Sequence, residues 1–462
     1  MASAGSSTSD LTSGPIGPLV RRLAIPASIG FFFNTLYNVV DTYFAGLLST
    51  DALAALSLSF PVFFTIIAMG SGFSTGTTAL VGQALGRGDR REASLVAAQG
   101  IVLAALVSVV LTAIGFLSAP ALFRLLGATD AYLQICLDYI QVILLGTVLV
   151  VQVYMANAIL SALGDTRTFR NYLVVAALVN VGLDPWFMYG GFGVPALGVR
   201  GIALATVLVQ CGGVAYMGWR AWRTGILRRD SGASWRPRPA IFREIAAQAI
   251  PASLNMMTVA LGIFVITYFL GRFGQQAVAA YGVATRIEQI ALLPTIGLNI
   301  ATLALAAQNG GAGKLDRVVE TVRSALRHGA VVMAVATLGI FFGARHLMEI
   351  FTDDPAVVAI GAPYLRIAAW VEFAYVILFV NTSALQGLKR PAFALWIGAY
   401  RQLAAPIVVF VLVTEVWDLG LFGIWWSIFA ITWSAAIIAM LYAMRAVRKE
   451  LAAKPAESPP GG

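Results

Sequence analysis

Long apolar runs alternate with short polar breaks along almost the whole chain. A helix that crosses a bilayer needs about 20 predominantly apolar residues, and the pattern predicts twelve such spans, near 23–46, 53–81, 94–117, 133–160, 172–190, 202–222, 245–270, 277–305, 330–344, 357–385, 393–413 and 421–444. The runs are continuously apolar and too long for the alternating strands of a membrane barrel. The expected fold class is therefore all-α integral membrane, with twelve transmembrane helices.

Composition agrees: of 462 residues, 59% are hydrophobic and only 11% charged, and the mean hydropathy of +0.82 excludes a water-soluble domain. The stretch before Arg21 is rich in Ser and Gly and lacks the basic start and apolar heart of a cleavable signal, so the first span itself is expected to target the chain. Segments 1–20 and 447–462 are expected to be disordered. Cys136 and Cys211 fall inside spans at no disulfide or metal spacing and are read as packing residues.

The net charge of +9 changes the picture only through its placement. Basic residues gather on alternate loops: Arg21 and Arg22, Arg87 to Arg91, Arg167 and Arg170, Arg220 to Arg243, Lys314 to Arg327, Lys389 and Arg390, and Arg445 to Lys454. The opposite loops offer only Arg124, Arg200, Arg272 and Arg345. That asymmetry puts both termini in the cytoplasm. No basic patch is interleaved with exposed aromatics, so nucleic acid is not expected as a partner.

An internal repeat decides the architecture. Ala24 to Ser28 recurs as Ala249 to Ser253, Phe44 and Gly46 as Phe269 and Gly271, Gln83, Gly86 and Gly88 as Gln308, Gly311 and Gly313, and Tyr139 as Tyr364, each pair 225 positions apart. Leu197-Gly198 and Gly201-Ile202 return at Leu419-Gly420 and Gly423-Ile424. Six spans per copy is an even number, so both copies enter the membrane with one polarity and form two lobes around a cleft. The expected units are an N-lobe over 21–222, a cytoplasmic linker over 223–243 and a C-lobe over 244–446.

Ionisable groups are costly in hydrocarbon, so the few present are candidates for function. Asn34, Tyr37, Asn38 and Asp41 fall at i, i+3, i+4 and i+7 in the first span and lay one polar stripe along it. Asn180 and Asp184 stand one turn apart in the fifth span, just before Pro185. If the first and fifth spans are neighbours, Asp41 and Asp184 share a proton, because two close carboxylates do not both carry charge cheaply. The alternative is a hydrogen-bonded helix interface without transport chemistry. Gln152, Asn157 and Thr206 are candidates to complete the cluster, with interhelical hydrogen bonding the plainer role for all three.

In the second half, Glu288 and Glu372 either receive a cationic substrate or neutralise an arginine, with Arg286 and Arg401 to hand. Asp41 corresponds to Ile266 and Arg286 to Pro61, so the lobes match in scaffold and differ in polar content. Ion coupling is expected mainly in the first. The Gln83 to Gly88 and Gln308 to Gly313 stretches end long helices, their glycines permitting a turn, and neither carries the Gly-Lys-Ser/Thr ending of a phosphate loop. Pro26 and Pro251 mark paired points where a helix can bend.

The residues from about Leu19 to Met444 resemble the multidrug and toxic compound extrusion (MATE) transporters. The resemblance rests on Gly82 to Gly88, Gln308 to Gly313, the Arg286-Ile287-Glu288 run and Asn180 to Pro185. It implies two six-helix lobes around a central cleft and export of amphipathic, often cationic compounds in exchange for protons or sodium. Within the family the chain is similar to the DinF branch, which implies a first-lobe cation site at Tyr37, Asn38, Asp41, Asn180, Asp184 and Thr206, and a first span that bends at Pro26 on protonation. The NorM-like branch carries an acid in its seventh span, and none stands between Pro251 and Gly271 here.

The expectation is thus a cation-coupled antiporter working by alternating access, with Asp41 and Asp184 as coupling carboxylates and protons favoured over sodium. Substrate-binding candidates are Asn34, Gln152, Asn157, Glu288 and Glu372, and the hinge is Pro26. No cofactor and no bound metal are expected, sodium at Asp41 and Asp184 being the alternative ion. The expected partners are a small-molecule substrate and the bilayer of the inner membrane, with the chain a monomer. A flippase for lipid-linked precursors, a related fold, would want a more cationic cleft than Arg286, Arg366 and Arg401 supply. An enzyme is not expected, since His328 and His346 lie near span ends and no Ser, His and Asp set assembles.

Overall fold

The computed structural model describes residues 10–452, and within them the chain is helical almost throughout. Ten helices, or ten helical stretches, are individually long and apolar enough to span: α1 (Ile16–Leu48), α2 (Thr50–Gly86), α3 (Arg90–Leu125), α6 (Arg167–Tyr189), α7 (Val199–Arg223), α8 (Pro239–Gly271), α11 (Leu315–Glu349), α12 (Pro355–Gly387), the stretch Ala392–Val416, and α15 (Gly420–Ala452). The stretch Ala392–Val416 comprises α13 (Ala392–Ala399) and α14 (Ala405–Val411) with wider π-helical turns at Tyr400–Ala404 and Leu412–Val416. The other two spans are bent pairs: α4 (Asp130–Leu145) with α5 (Thr147–Ala162), at 45°, and α9 (Gln275–Ala291) with α10 (Leu293–Gly311), at 47°. Twelve crossings result.

The duplication is visible in the helix ends. Thr50 and Gln275, Gly86 and Gly311, Arg90 and Leu315, Asp130 and Pro355, Ala162 and Gly387, and Arg167 and Ala392 begin or end corresponding helices, every pair separated by the same 225 positions as Gln83 and Gln308. The connections repeat as well: Gly88 (φ 78°) and Gly313 (φ 68°) both take the left-handed conformation that lets the chain reverse between long helices.

The lobes meet along two matching seams, α1 against α10 and α2 against α8. Glycines make the approach possible. A Cβ on Gly72 of α2 would collide with Ser253 of α8, and a Cβ on Gly297 of α10 would collide with Ser28 and the Ala24 carbonyl of α1. The recurring Ala24 to Ser28 segment is therefore a crossing point, in which small residues let two backbones touch. Pro26 lies inside α1, which continues through it as one helix.

The bends break the symmetry. The α4–α5 bend falls at Gly146, where a Cβ would strike Val207, and the α9–α10 bend falls just before Pro294, which has no N–H to give the preceding turn. Their counterparts α12 and α2 are single helices.

Three expected boundaries move. Residues 10–20 are ordered: Leu11 is fully buried, its N–H donating to Gln308 Oε1 at 3.2 Å and its carbonyl accepting from Asn309 Nδ2 at 3.1 Å, and α1 begins at Ile16. Residues 1–9 lie outside the described part. The linker is shorter than expected, because α8 starts at Pro239, a residue suited to a first helical turn. At the other end α15 continues to Ala452, its Glu450 accepting from Arg390 at 2.7 Å, and 453–462 lie outside the described residues.

Candidate functional site

In the N-lobe α1 packs against α6, and α6 against α7. This brings Asp41, Asn180, Asp184 and Thr206 together, all buried. The side-chain amide of Asn180 donates to Asp41 Oδ1 at 2.5 Å and to Asp184 Oδ2 at 2.9 Å, and Thr206 Oγ1 donates to Asp41 Oδ2 at 3.2 Å. One amide group thus bridges two carboxylates from different helices. Three further oxygens around it, Tyr37 Oη, Asn180 Oδ1 and Asp184 Oδ1, are buried with no partner among the described residues. An unpartnered buried oxygen costs on the order of 1–3 kcal/mol, and a hydrogen-bond donor or a positive charge among these three would offset that cost. Pro185 sits within α6 and, having no N–H, frees the carbonyl one turn back beside this cluster.

The polar stripe of α1 splits. Tyr37 and Asp41 are buried in the cluster, while Asn38 is exposed and gives its amide to the Asn34 carbonyl of its own helix at 2.7 Å. Asn34 is half-buried and stands outside the cluster's hydrogen bonds. Gln152 ties α5 to α3 through the Ile101 carbonyl at 2.9 Å, and Asn157 accepts from Ser161 one turn along at 3.2 Å. Gln152 makes the interhelical bond expected of it, whereas Asn157 bonds within its own helix, and neither hydrogen-bonds the carboxylates.

The C-lobe holds a separate polar site. Glu288 of α9 and Glu372 of α12 are buried, with Glu288 Oε1 and both carboxylate oxygens of Glu372 unpartnered. Neither forms an ion pair with Arg286, which is exposed, or with Arg401, which is buried. Arg401 instead donates to Tyr375 Oη at 3.3 Å and lies 5.1 Å from the centre of that ring, a cation–π contact. Its place in the π-helical turn Tyr400–Ala404 widens the helix at this point, as such turns do at functional positions. Glu288, Arg401, Tyr281, Tyr364 and Tyr375 line one cavity of about 160 Å³. Ile266, the counterpart of Asp41, lines it too.

Tyr139 was not among the expected site residues. It is buried on α4, and its counterpart Tyr364 lines the C-lobe cavity with Glu288. Its recurrence in the repeat was the available signal.

At the end of the bundle that carries both termini, the repeated glutamines cross between lobes. Gln83 of the N-lobe donates to the Gly387 carbonyl of the C-lobe at 2.9 Å, and Gln308 of the C-lobe donates to the Ala162 carbonyl of the N-lobe at 2.6 Å. Each acceptor is the last residue of a span, so the bond also satisfies a helix end. A Cβ on Gly86 would strike the Gln308 carbonyl, and one on Gly311 the Gln83 carbonyl. The lobes are latched here at contact distance.

The family comparison follows the same duplication: the MatE family model matches twice, over residues 26–186 and 251–412. The chain belongs to the MatE family. It is 29% identical over 392 residues to the FAD transporter of Shewanella oneidensis, covering 85% of this chain and 86% of the relative. It is 26% identical over 387 residues to a probable multidrug resistance protein, YoeA, of Bacillus subtilis, covering 82% of each. Among solved structures it superposes on a MOP superfamily transporter from Pyrococcus furiosus with a TM-score of 0.88 and 24% identity, over 98% of this chain and 99% of that one. That likeness shows the fold: an all-helical membrane protein of two pseudo-symmetric six-helix lobes.

Proposed function

We propose that this MatE protein is a proton-coupled antiporter of the inner membrane that exports amphipathic, cationic compounds by alternating access, a monomer with both termini in the cytoplasm. The observation that carries the reading is the Asn180 amide held between Asp41 and Asp184. Two carboxylates on separate helices, joined through one donor and ringed by unpartnered oxygens, change their mutual geometry when a proton arrives, and an ion drives transport only by binding the two conformations differently. Proton is favoured over sodium because an N–H donor occupies the space between the carboxylates, whereas a hard cation wants oxygens on every side. The placement of Tyr37, Asp41, Asn180, Asp184 and Thr206 also supports assignment to the DinF-like branch.

Two further observations support the rest. The crossed Gln83 and Gln308 bonds close the termini end of the bundle, as an outward-open state requires, and α1 continues through Pro26 as one helix. The C-lobe cavity sets Glu288 and three tyrosines beside Arg401, and the carboxylate and aromatic faces are what an organic cation would meet there. The test is transport in proteoliposomes under an imposed pH gradient and, separately, a sodium gradient, with a fluorescent organic cation and FAD as alternative substrates. Cation movement driven by the pH gradient alone supports the reading. Movement driven only by sodium overturns the choice of ion, and movement of FAD without the cation overturns the substrate class.

A further inference from the structure

An apolar groove of about 320 Å³ runs at the termini end of the C-lobe, floored by α12 and walled by α11 and α15. Two arginines line it, Arg323 on α11 and Arg448 on α15; both are exposed and neither bonds to any described residue. The internal repeat shows what such a groove ordinarily holds. In the N-lobe the segment after α7 folds back over α3: Gln99 donates to the Ser234 and Arg236 carbonyls at 2.6 and 2.9 Å and accepts from the Arg238 N–H at 2.8 Å. This seats Ile226 and Leu227, fully and almost fully buried, in the same core as Ala97 and Ala221. Ala98, the counterpart of Arg323, is wholly buried there.

Among the described residues, no segment folds back over α11 in the way that 224–238 folds over α3. The ten residues after Ala452 include no Val, Leu, Ile, Met or aromatic side chain, so they cannot supply what Ile226 and Leu227 supply. The groove also lies at a telling depth. α11 is continuously apolar from Gly329 to Ala344 and α15 up to Met444, which sets the hydrocarbon edge near Gly329 and Met444. At about 1.5 Å per residue, Arg323 stands about 9 Å and Arg448 about 6 Å beyond that edge, so their long side chains reach the headgroup layer of roughly 5–7 Å on each side of a bilayer.

We propose that this groove binds an anionic phospholipid of the leaflet on the side of the termini, its phosphate between Arg323 and Arg448 and the upper part of an acyl chain against Leu326, Met440 and Met444. Charge and depth select a lipid: basic pockets between spans at the headgroup level take anionic headgroups, and the apolar floor takes the chain that follows. The lipid does for the C-lobe what the linker does for the N-lobe, covering an apolar face that the duplication left open. The inference is independent of which ion or compound is transported.

The test is photocrosslinking in vesicles of phosphatidylglycerol and phosphatidylcholine with matched acyl chains, using the full chain carrying benzoylphenylalanine at Met444, and reading the adduct by mass spectrometry. The expected adduct is phosphatidylglycerol, in excess over phosphatidylcholine, falling about tenfold or more when Arg323→Gln and Arg448→Gln are combined. Gel filtration and transport report that the double variant is folded. Equal labelling of the two lipids, labelling unchanged in the double variant, or an adduct with the chain's own tail or a second copy overturns the proposal.

Discussion

Asn180 and Asp41 lie on different helices, yet the amide of the first meets the carboxylate of the second at 2.5 Å, the shortest link between α1 and α6. The same nitrogen holds Asp184 at 2.9 Å. Charge-assisted hydrogen bonds of this kind are worth about 1.5–3 kcal/mol each.

Replacing Asn180 by Leu removes that bridge while keeping the branching and number of side-chain heavy atoms. Gradient-driven transport is expected to fall by about tenfold or more, the equivalent of one lost bond, and the thermal midpoint to drop. Transport assays and melting of the purified variant check this; unchanged transport contradicts a bridging role.

The two lobes are expected to separate by function. Glu288→Gln changes a carboxylate that lines the C-lobe cavity and touches nothing in the Asp41 cluster. The expected result is a KM for an organic cation raised about tenfold, as the loss of one charge contact would give, with the response to an imposed pH gradient retained. Competition binding and flux measurements separate the two effects.

Disrupting the crossed glutamines is expected to open the termini end. Gln83→Ala with Gln308→Ala deletes both inter-lobe bonds, and Gly311→Leu forces the Gln83 carbonyl away. Single cysteines placed near Ala162 are expected to react faster with a soluble thiol reagent in either variant than in the parent chain. Equal reaction rates would mean that the latch does not hold this end shut.

The helix crossings make a stability prediction. Gly72→Val and Gly297→Val each push a side chain into a backbone at matching seams, against Ser253 and Ser28. Overpacking of this kind costs about 1–3 kcal/mol, so both variants are expected to melt at lower temperature, by similar amounts, because the two seams are copies.

Much of this architecture was legible from hydrophobic pattern and repeat, for physical reasons. Lipid demands continuous apolar helices, so each crossing announces itself, and a duplicated unit repeats its crossing glycines and turn glycines at one offset. The bends at Gly146 and before Pro294 were not legible, since an apolar run reads alike whether straight or bent and the Gly146 bend depends on Val207 of another helix. The order of residues 10–20 was equally hidden, because Leu11 is anchored by Gln308 and Asn309, some three hundred positions away. Within the site, spacing placed Asn38 on the same stripe as Asp41, but the stripe is wider than the contact. Tyr37 and Asp41 fall on its buried side, and Asn38 satisfies itself on its own helix. Gln83 and Gln308 were conspicuous as repeated residues, and only the packed lobes reveal that each reaches across to the other half.

The most direct measurement of the coupling proposal is drug-cation flux in proteoliposomes of Asp41→Asn against the parent chain, at equal reconstitution, with and without an imposed pH gradient. The account predicts that the parent accelerates under the gradient and the variant does not respond to it. A variant that responds as strongly as the parent would remove Asp41 from the mechanism and contradict the account.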